Sequence, residues 1–182
     1  MDLQIAETRR LYAYWRSRQS SPDRVPERGL FDPADIKDIL SLILLIHRES
    51  PESLRLKIMG TRVVERMGRD LTGIEFLDVF GPEGREERRA VFNAVLDRPA
   101  MLVFDSRIRV RSGAVIPSEG LFLPLAVDGR PSQIVGLVGR VNSLRDRQPS
   151  GDTIVDVNDV ERFELIDLAP APEPDTTTPA PA

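Results

Sequence analysis

The sequence predicts an α+β domain built on one antiparallel sheet, and three observations predict it. Two strand-like stretches, at 42–46 and 54–59, follow each other across a Ser-Pro-Glu-Ser turn. A helical pattern then occupies 85–98, and three more strand-like stretches lie between 101 and 141. Two groups of strands separated by helices are typical of a domain whose helices pack on one face of a single sheet.

The composition is that of an ordinary globular chain and excludes several classes of function. The 182 residues suffice for one domain with a buried core, and 41% are hydrophobic while 30% are charged. A net charge of -4 gives no electrostatic reason to expect nucleic-acid binding. The absence of cysteine excludes disulfides, thiolate nucleophiles and chromophores linked through a cysteine.

The sequence also carries no signal for a membrane or for export. No apolar run approaches the ~20 residues of a membrane-spanning helix. The first ten residues lack the basic-then-apolar order of a signal peptide. We therefore expect a cytoplasmic protein that does not contact membranes.

Residues 1–28 are predicted to form an N-terminal helix and a linker. Apolar residues recur at helical spacing between 3 and 18, which indicates an amphipathic helix. Its apolar side includes Leu11, Tyr12 and Trp15, and we take these as a candidate partner interface because aromatic residues favour interfaces. Two outcomes are open: the helix packs on the outer face of its own sheet, or it packs on its copy in a homodimer.

The first half of the core begins with a helix start at Asp32-Pro33, where a carboxylate cap precedes a proline at the first helical position. This predicts a short helix over 34–40. The apolar run 42–46 then predicts a buried strand, and 54–59 predicts its hairpin partner. A single helical turn at 63–67 should end at Gly68, in the left-handed conformation that glycine adopts.

The second half of the core is predicted to be a meander of strands at 101–111, 121–127 and 134–141, with an Asp128-Gly129 turn. Pro124 conflicts with a central strand, because proline cannot donate to a ladder. The core domain spans 29–145.

Two further segments follow the core domain. A C-terminal extension spans 146–168, and its last residues, 160–168, form either a returning strand or a docking arm. Residues 169–182 are rich in Pro, Ala and Thr and predict a disordered tail.

Several of these pieces, in this order, resemble a PAS-like family of short bacterial proteins with a tryptophan-bearing N-terminal helix. The pieces are Tyr14-Trp15, Asp32-Pro33, the 55–61 strand ending in Gly-Thr, the Asp70-Leu-Thr-Gly73 corner and the 119–125 segment. The resemblance implies a PAS fold, with a five-stranded antiparallel sheet of order 2-1-5-4-3, helices on one face and the extra N-terminal helix. It also implies a signalling module of unassigned ligand.

The candidate ligand pocket lies between the inner sheet face and the helices that cover it. Its apolar residues either line a cavity or simply fill the core. They are Leu56, Ile58, Met67, Leu71, Phe92, Val95, Phe104 and Leu123. Ser118 and Glu119 are candidate polar anchors.

The sequence identifies no cofactor. His47 is the only histidine, whereas the resemblance to haem-binding PAS domains would place a histidine on the helix before the third strand. A flavin held without a covalent bond is neither supported nor excluded.

We therefore expect a non-catalytic sensory or adaptor domain of bacterial signal transduction, which binds a small ligand, a signalling protein, or both. The chain has no Gly-Xaa-Ser-Xaa-Gly elbow and no phosphate loop. One alternative is a small cone-shaped α+β enzyme resembling isomerases and dehydratases, in which His47 would act in the cavity. Another is a dimerisation adaptor with a solid core and no ligand.

Overall fold

The computed structural model describes residues 3–140 and 153–168, and within them six antiparallel strands form one sheet in the order β2-β1-β5-β4-β3-β6. The strands are β1 (Ile43–Ser50), β2 (Ser53–Met59), β3 (Ala100–Val110), β4 (Val115–Val127), β5 (Arg130–Arg140) and β6 (Ile154–Asp167). The helices are α1 (Ala6–Ser17), α2 (Thr61–Met67) and α3 (Arg85–Asp97). The predicted order of the first five strands is confirmed.

The count of five strands is corrected to six, because the C-terminal extension adds β6 beside β3. Residues 160–168 were predicted to form a returning strand or a docking arm, and 160–167 lie in this strand. Its acidic, weakly alternating sequence hides this, since an edge strand has one wet side and needs fewer apolar residues. Val141 and the predicted tail at 169–182 lie outside the described residues.

Local signals in the first half of the core have mixed outcomes. The Asp32 carboxylate accepts a hydrogen bond from the Ala34 N–H at 2.8 Å, so the predicted cap is confirmed. The helix predicted over 34–40 is instead two 3-10 turns, Pro33–Ile36 and Leu40–Leu42. Gly68 ends α2 with φ of +70°, the left-handed conformation that the sequence predicts.

β4 is the central element, because both of its faces are buried from Ser118 to Ala126. Side chains of a strand alternate between faces. Leu121 and Leu123 contact the apolar cluster that contains α1, whereas Phe122 belongs to the cluster beneath α2 and α3. One strand therefore joins two separate cores.

α1 packs on the outer sheet face of its own chain. Leu11 and Trp15 are fully buried there, and Tyr12 is partly buried. The Trp15 indole Nε1–H donates a hydrogen bond to the Pro124 carbonyl oxygen at 2.7 Å. Packing of the helix on its own sheet, one of the two outcomes that the sequence left open, is therefore present in the chain. Leu11 and Trp15 are thus not exposed for a partner, because the apolar outer sheet face already covers them.

The same contact accounts for the proline in β4. The pairing of β3 with β4 ends at Phe122, so the edge of β4 beyond it is used by other segments. Ala126 donates its N–H to the Pro26 carbonyl at 2.9 Å, and the Pro124 carbonyl accepts from Trp15. The N–H and C=O groups of alternate residues point to the same edge of a strand, so those of Pro124 and Ala126 face this edge. Pro124 is therefore not required to donate a hydrogen bond to a neighbouring strand.

A buried carboxylate on β4 caps the other end of α1. Glu119 accepts hydrogen bonds from the backbone N–H groups of Gln4, at 2.6 Å, and Ile5, at 3.3 Å, and from the Thr8 hydroxyl. The residue at the cap position, Ile5, has no side chain able to cap. Glu119 therefore supplies from the sheet the acceptor that a helix start requires.

Replacing Glu119 by Gln should lower the free energy of unfolding by about 1–3 kcal/mol, because an amide nitrogen facing buried donors leaves them unsatisfied. Urea denaturation followed by far-ultraviolet circular dichroism measures the change. Glu65→Gln, at an exposed position on α2, is the matched control and should change the midpoint little. Equal midpoints for the two variants would contradict this role for Glu119.

Candidate ligand cavity

A cavity of about 90 Å³ lies between the sheet and a layer that we call the roof, formed by α2, α3 and the 3-10 turn Phe76–Val79. All six strands contribute residues to its lining, and α2 supplies one wall. Nearly all of the lining is carbon. Apolar cavities of about 150 Å³ bind benzene, so this smaller one has room only for a compact group.

Two phenylalanines form the floor by lying over glycines on neighbouring strands. Phe104 is paired with Gly120, and Phe122 is paired with Gly136. A Cβ added to either glycine would lie under 3.0 Å from the ring of its paired phenylalanine. The two rings stack at 5.8 Å with an interplanar angle of 15°. Glycine at these positions therefore lets both rings lie flat against the sheet.

Four of the eight sequence-predicted pocket residues line this cavity: Leu56, Met67, Leu71 and Phe104. They come from β2, from α2 and the corner after it, and from β3. The structure therefore brings together residues from both halves of the chain, as the prediction requires.

Ile58 does not line the cavity, because a β-bulge reverses the alternation of β2. Leu45 pairs with Ile58 and Ile46 pairs with Leu56, so Lys57 is an extra residue in the ladder. Ile58 is 42% exposed, and Met59 lines the cavity in its place.

The other three predicted pocket residues also lie outside the cavity lining. Leu123 is on the opposite sheet face, beneath α1, because it alternates with Phe122 along β4. Val95 is buried between α3 and the sheet without reaching the cavity. Phe92 packs edge-on against Phe122 at 5.1 Å and lines a neighbouring groove.

Sequence reasoning missed other lining residues, among them Val63, Arg66, Ser106, Phe122 and Ile154. Val63 and Arg66 share a helical face with Met67, and this spacing was a usable signal. Ile154 comes from β6, whose membership of the sheet the sequence left open. The polar anchor proposed at Glu119 is instead the cap of α1.

Arg66 brings a positive charge to the edge of an apolar cavity. Its Nη1 donates to the Val138 carbonyl oxygen at 3.2 Å. Burial lowers the pKa of its guanidinium to about 10, and the positive charges of Arg140 and Arg62 add to this, against a smaller opposite effect of Glu7. The edge of the cavity at Arg66 is therefore positively charged.

His47 lies away from the cavity. It continues the alternation of Ile43 and Leu45 along β1, whose side chains belong to the α1 cluster. A cavity enzyme that relies on His47 therefore lacks its base there. Within residues 3–140 and 153–168, no three His, Cys, Asp or Glu side chains come together as a metal site.

A second concavity, which we call the α3–β6 groove, adjoins the cavity. It measures about 260 Å³ and lies between α3 and the strands β3 and β6. Phe80 and Phe104 belong to both linings. The Arg88 guanidinium lies over the Phe80 ring at 5.1 Å. The two aromatic rings thus form the boundary between cavity and groove.

Solved structures with a similar fold are known. The Rhodobacter sphaeroides LOV protein is 12% identical, with a TM-score of 0.44, 62% of this chain and 69% of that chain covered. The PAS domain of an HTR-like protein from Haloarcula marismortui is 13% identical, with a TM-score of 0.41 and coverages of 59% and 89%. An RNA-binding light-oxygen-voltage receptor is 20% identical, with a TM-score of 0.41 and coverages of 64% and 35%.

The sequence comparisons give the family directly. No curated protein matches the chain. None of the helices in the described ranges has the length and apolar character needed to span a bilayer.

A family model described as a PAS domain matches residues 3–139, which include α1, β1 to β4 and all of β5 except its last residue. The chain therefore belongs to the PAS domain family.

Proposed function

We propose that the protein is a non-catalytic, cytoplasmic sensory module of bacterial signal transduction that binds a small, largely apolar molecule between the sheet and the roof. The observation that carries this proposal is the cavity of about 90 Å³ with its carbon lining. Concave, mostly apolar sites with few polar groups are the usual form of small-molecule sites. Arg66 and Ser106 are the polar residues that reach this one among the described residues.

α2 is the part of the roof best suited to respond to a ligand. None of its seven residues is fully buried, and segments with few buried apolar contacts open at the lowest free-energy cost. Gly60, at its start, lies so close to the Ser41 backbone that a Cβ would clash. Gly68 ends it in the left-handed conformation. A ligand that contacts Val63 and Met67 would therefore displace α2, the helix that lies between Gly60 and Gly68.

β4 supports a route from the cavity to the outer helix. Phe122 forms the cavity floor, while Leu121 and Leu123, its neighbours in sequence, pack under α1. A ligand that displaces the Phe122 ring acts on the strand that holds α1. A change in α1 or in the roof is the signal that a partner protein would read, provided the ligand prefers one arrangement.

Val63→Phe should abolish binding by placing a ring in the cavity. The probes are benzyl alcohol, benzoate, hexan-1-ol and hexanoate, titrated by isothermal calorimetry. At least one should bind the wild-type protein, and the variant should bind it at least about tenfold more weakly, a loss of about 1.4 kcal/mol.

Val64→Phe is the matched control, because Val64 is the next residue of α2 and does not line the cavity. It should retain the wild-type affinity. The proposal fails if none of the four probes binds the wild-type protein, or if both variants weaken binding equally.

A second candidate role is homodimerisation through β6, which the outermost position of this strand favours. Val155, Val160 and Phe163 are exposed large apolar residues on it, and Phe163 is 58% exposed. An exposed strand edge presents backbone groups that can pair with another chain. Since Leu11 and Trp15 are buried, a dimer of this protein needs another apolar surface, and β6 provides one.

Phe163→Ser should shift a dimer towards monomer, because it removes the largest exposed apolar side chain of β6. Light scattering during size-exclusion chromatography, at several concentrations, measures the molar mass. Val115→Ser, at an exposed apolar residue at the start of β4, is the control and should leave the mass unchanged. A wild-type protein that is monomeric at every concentration would exclude this role.

A further inference from the structure

Arg66 is the one charged side chain in the cavity lining of the described residues. It lies on α2 between Val63 and Met67, one helical turn from the former, so all three point to the same side of the helix. The lining is otherwise built of Leu, Ile, Val, Met and Phe, with a single serine. The presence of a charged guanidinium in an otherwise apolar lining therefore needs a physical explanation.

The structure satisfies only a small part of the bonding capacity of Arg66. A guanidinium has five N–H donors, and the hydrogen bond to the Val138 carbonyl uses one of them. No ion pair joins Arg66 to a carboxylate within the described ranges, whereas other arginines there form them, as Arg48 does with Asp97. Arg66 is partly buried, and withdrawing a charge from water is costly unless it is paired.

The surroundings of Arg66 increase this cost. Arg62, on the same helix, and Arg140, at the end of β5, both act on it as like charges. The acid that acts on it is Glu7, and its effect is the smallest of the four causes that shift the Arg66 pKa. The charge that Arg66 itself brings to the cavity lining is therefore the feature that an anionic group would complement.

We propose that the ligand of this cavity is a compact organic acid, whose carboxylate pairs with Arg66 and whose hydrocarbon part lies among Met67, Leu71 and Phe122. This inference rests on the proposed sensory function and names the chemical class of its ligand. The planar fork of arginine matches the two oxygens of a carboxylate. The small carbon-lined volume fits a single ring or a short chain and leaves little room for a second polar group.

The test compares each acid with the alcohol of the same skeleton: benzoate with benzyl alcohol, and hexanoate with hexan-1-ol. Isothermal calorimetry gives the ratio of the two affinities. In the wild-type protein, the acid of at least one pair should bind about tenfold or more tightly than its alcohol, which corresponds to about 1.4 kcal/mol. In Arg66→Gln the ratio should fall to about one.

Two further variants keep the result interpretable. Arg69→Gln removes an exposed arginine just beyond α2, outside the cavity lining, and should keep the wild-type ratio. Arg66→Lys retains the charge without the planar fork and should give an intermediate ratio of acid to alcohol affinity. This variant also tests the role of Arg66 if Arg66→Gln does not fold.

The outcomes separate this inference from the proposed function. Alcohols that bind as tightly as the acids, or an acid preference that survives in both Arg66 variants, would overturn the acid assignment and leave the cavity as a ligand site. Failure of all four compounds to bind would overturn both.

Discussion

The structure depends on the burial of β4 on both faces. The register of a strand is strongly specified wherever one of its faces is buried, and β4 buries both faces from Ser118 to Ala126. The odd-numbered residues of β4 hold α1 through Leu121, Leu123 and the Glu119 cap. Its even-numbered Phe122 supports the cavity floor. The position of the outer helix and the shape of the inner cavity are therefore set by one element.

This arrangement gives the sensory proposal a physical basis. Packed interiors resemble organic crystals in density, so a displacement on one side of a strand is felt on the other. The floor rings lie over Gly120 and Gly136, which offer no side chain to resist the movement of the rings along the sheet. The roof, by contrast, ends in α2, which has no fully buried residue. A tightly packed sheet beneath a less buried helix suits a site whose conformation responds to ligand binding.

The sequence predicted the fold class and the cap at Asp32, because each rests on local periodicity or local chemistry. The order of the first five strands was implied by the resemblance to the PAS-like family, since local patterns carry no information on which strands are neighbours. It failed where the sequence does not show which residues of a strand point to which face of the sheet. The bulge at Lys57 turns Ile58 outward. The apolar run of β4 is continuous and shows no alternation, so the prediction for Leu123 names the wrong face. The strand count was short by one because β6 is an acidic edge strand. Arg66 was missed because its significance depends on the cavity around it.

The burial of Trp15 has one practical consequence. It is the single tryptophan of the chain, and its indole is fully buried with its N–H bonded to the Pro124 carbonyl. Indole emission shifts to longer wavelength when water reaches the ring. The intrinsic fluorescence of the native, unlabelled protein is therefore an optical reporter of whether α1 is seated on the sheet.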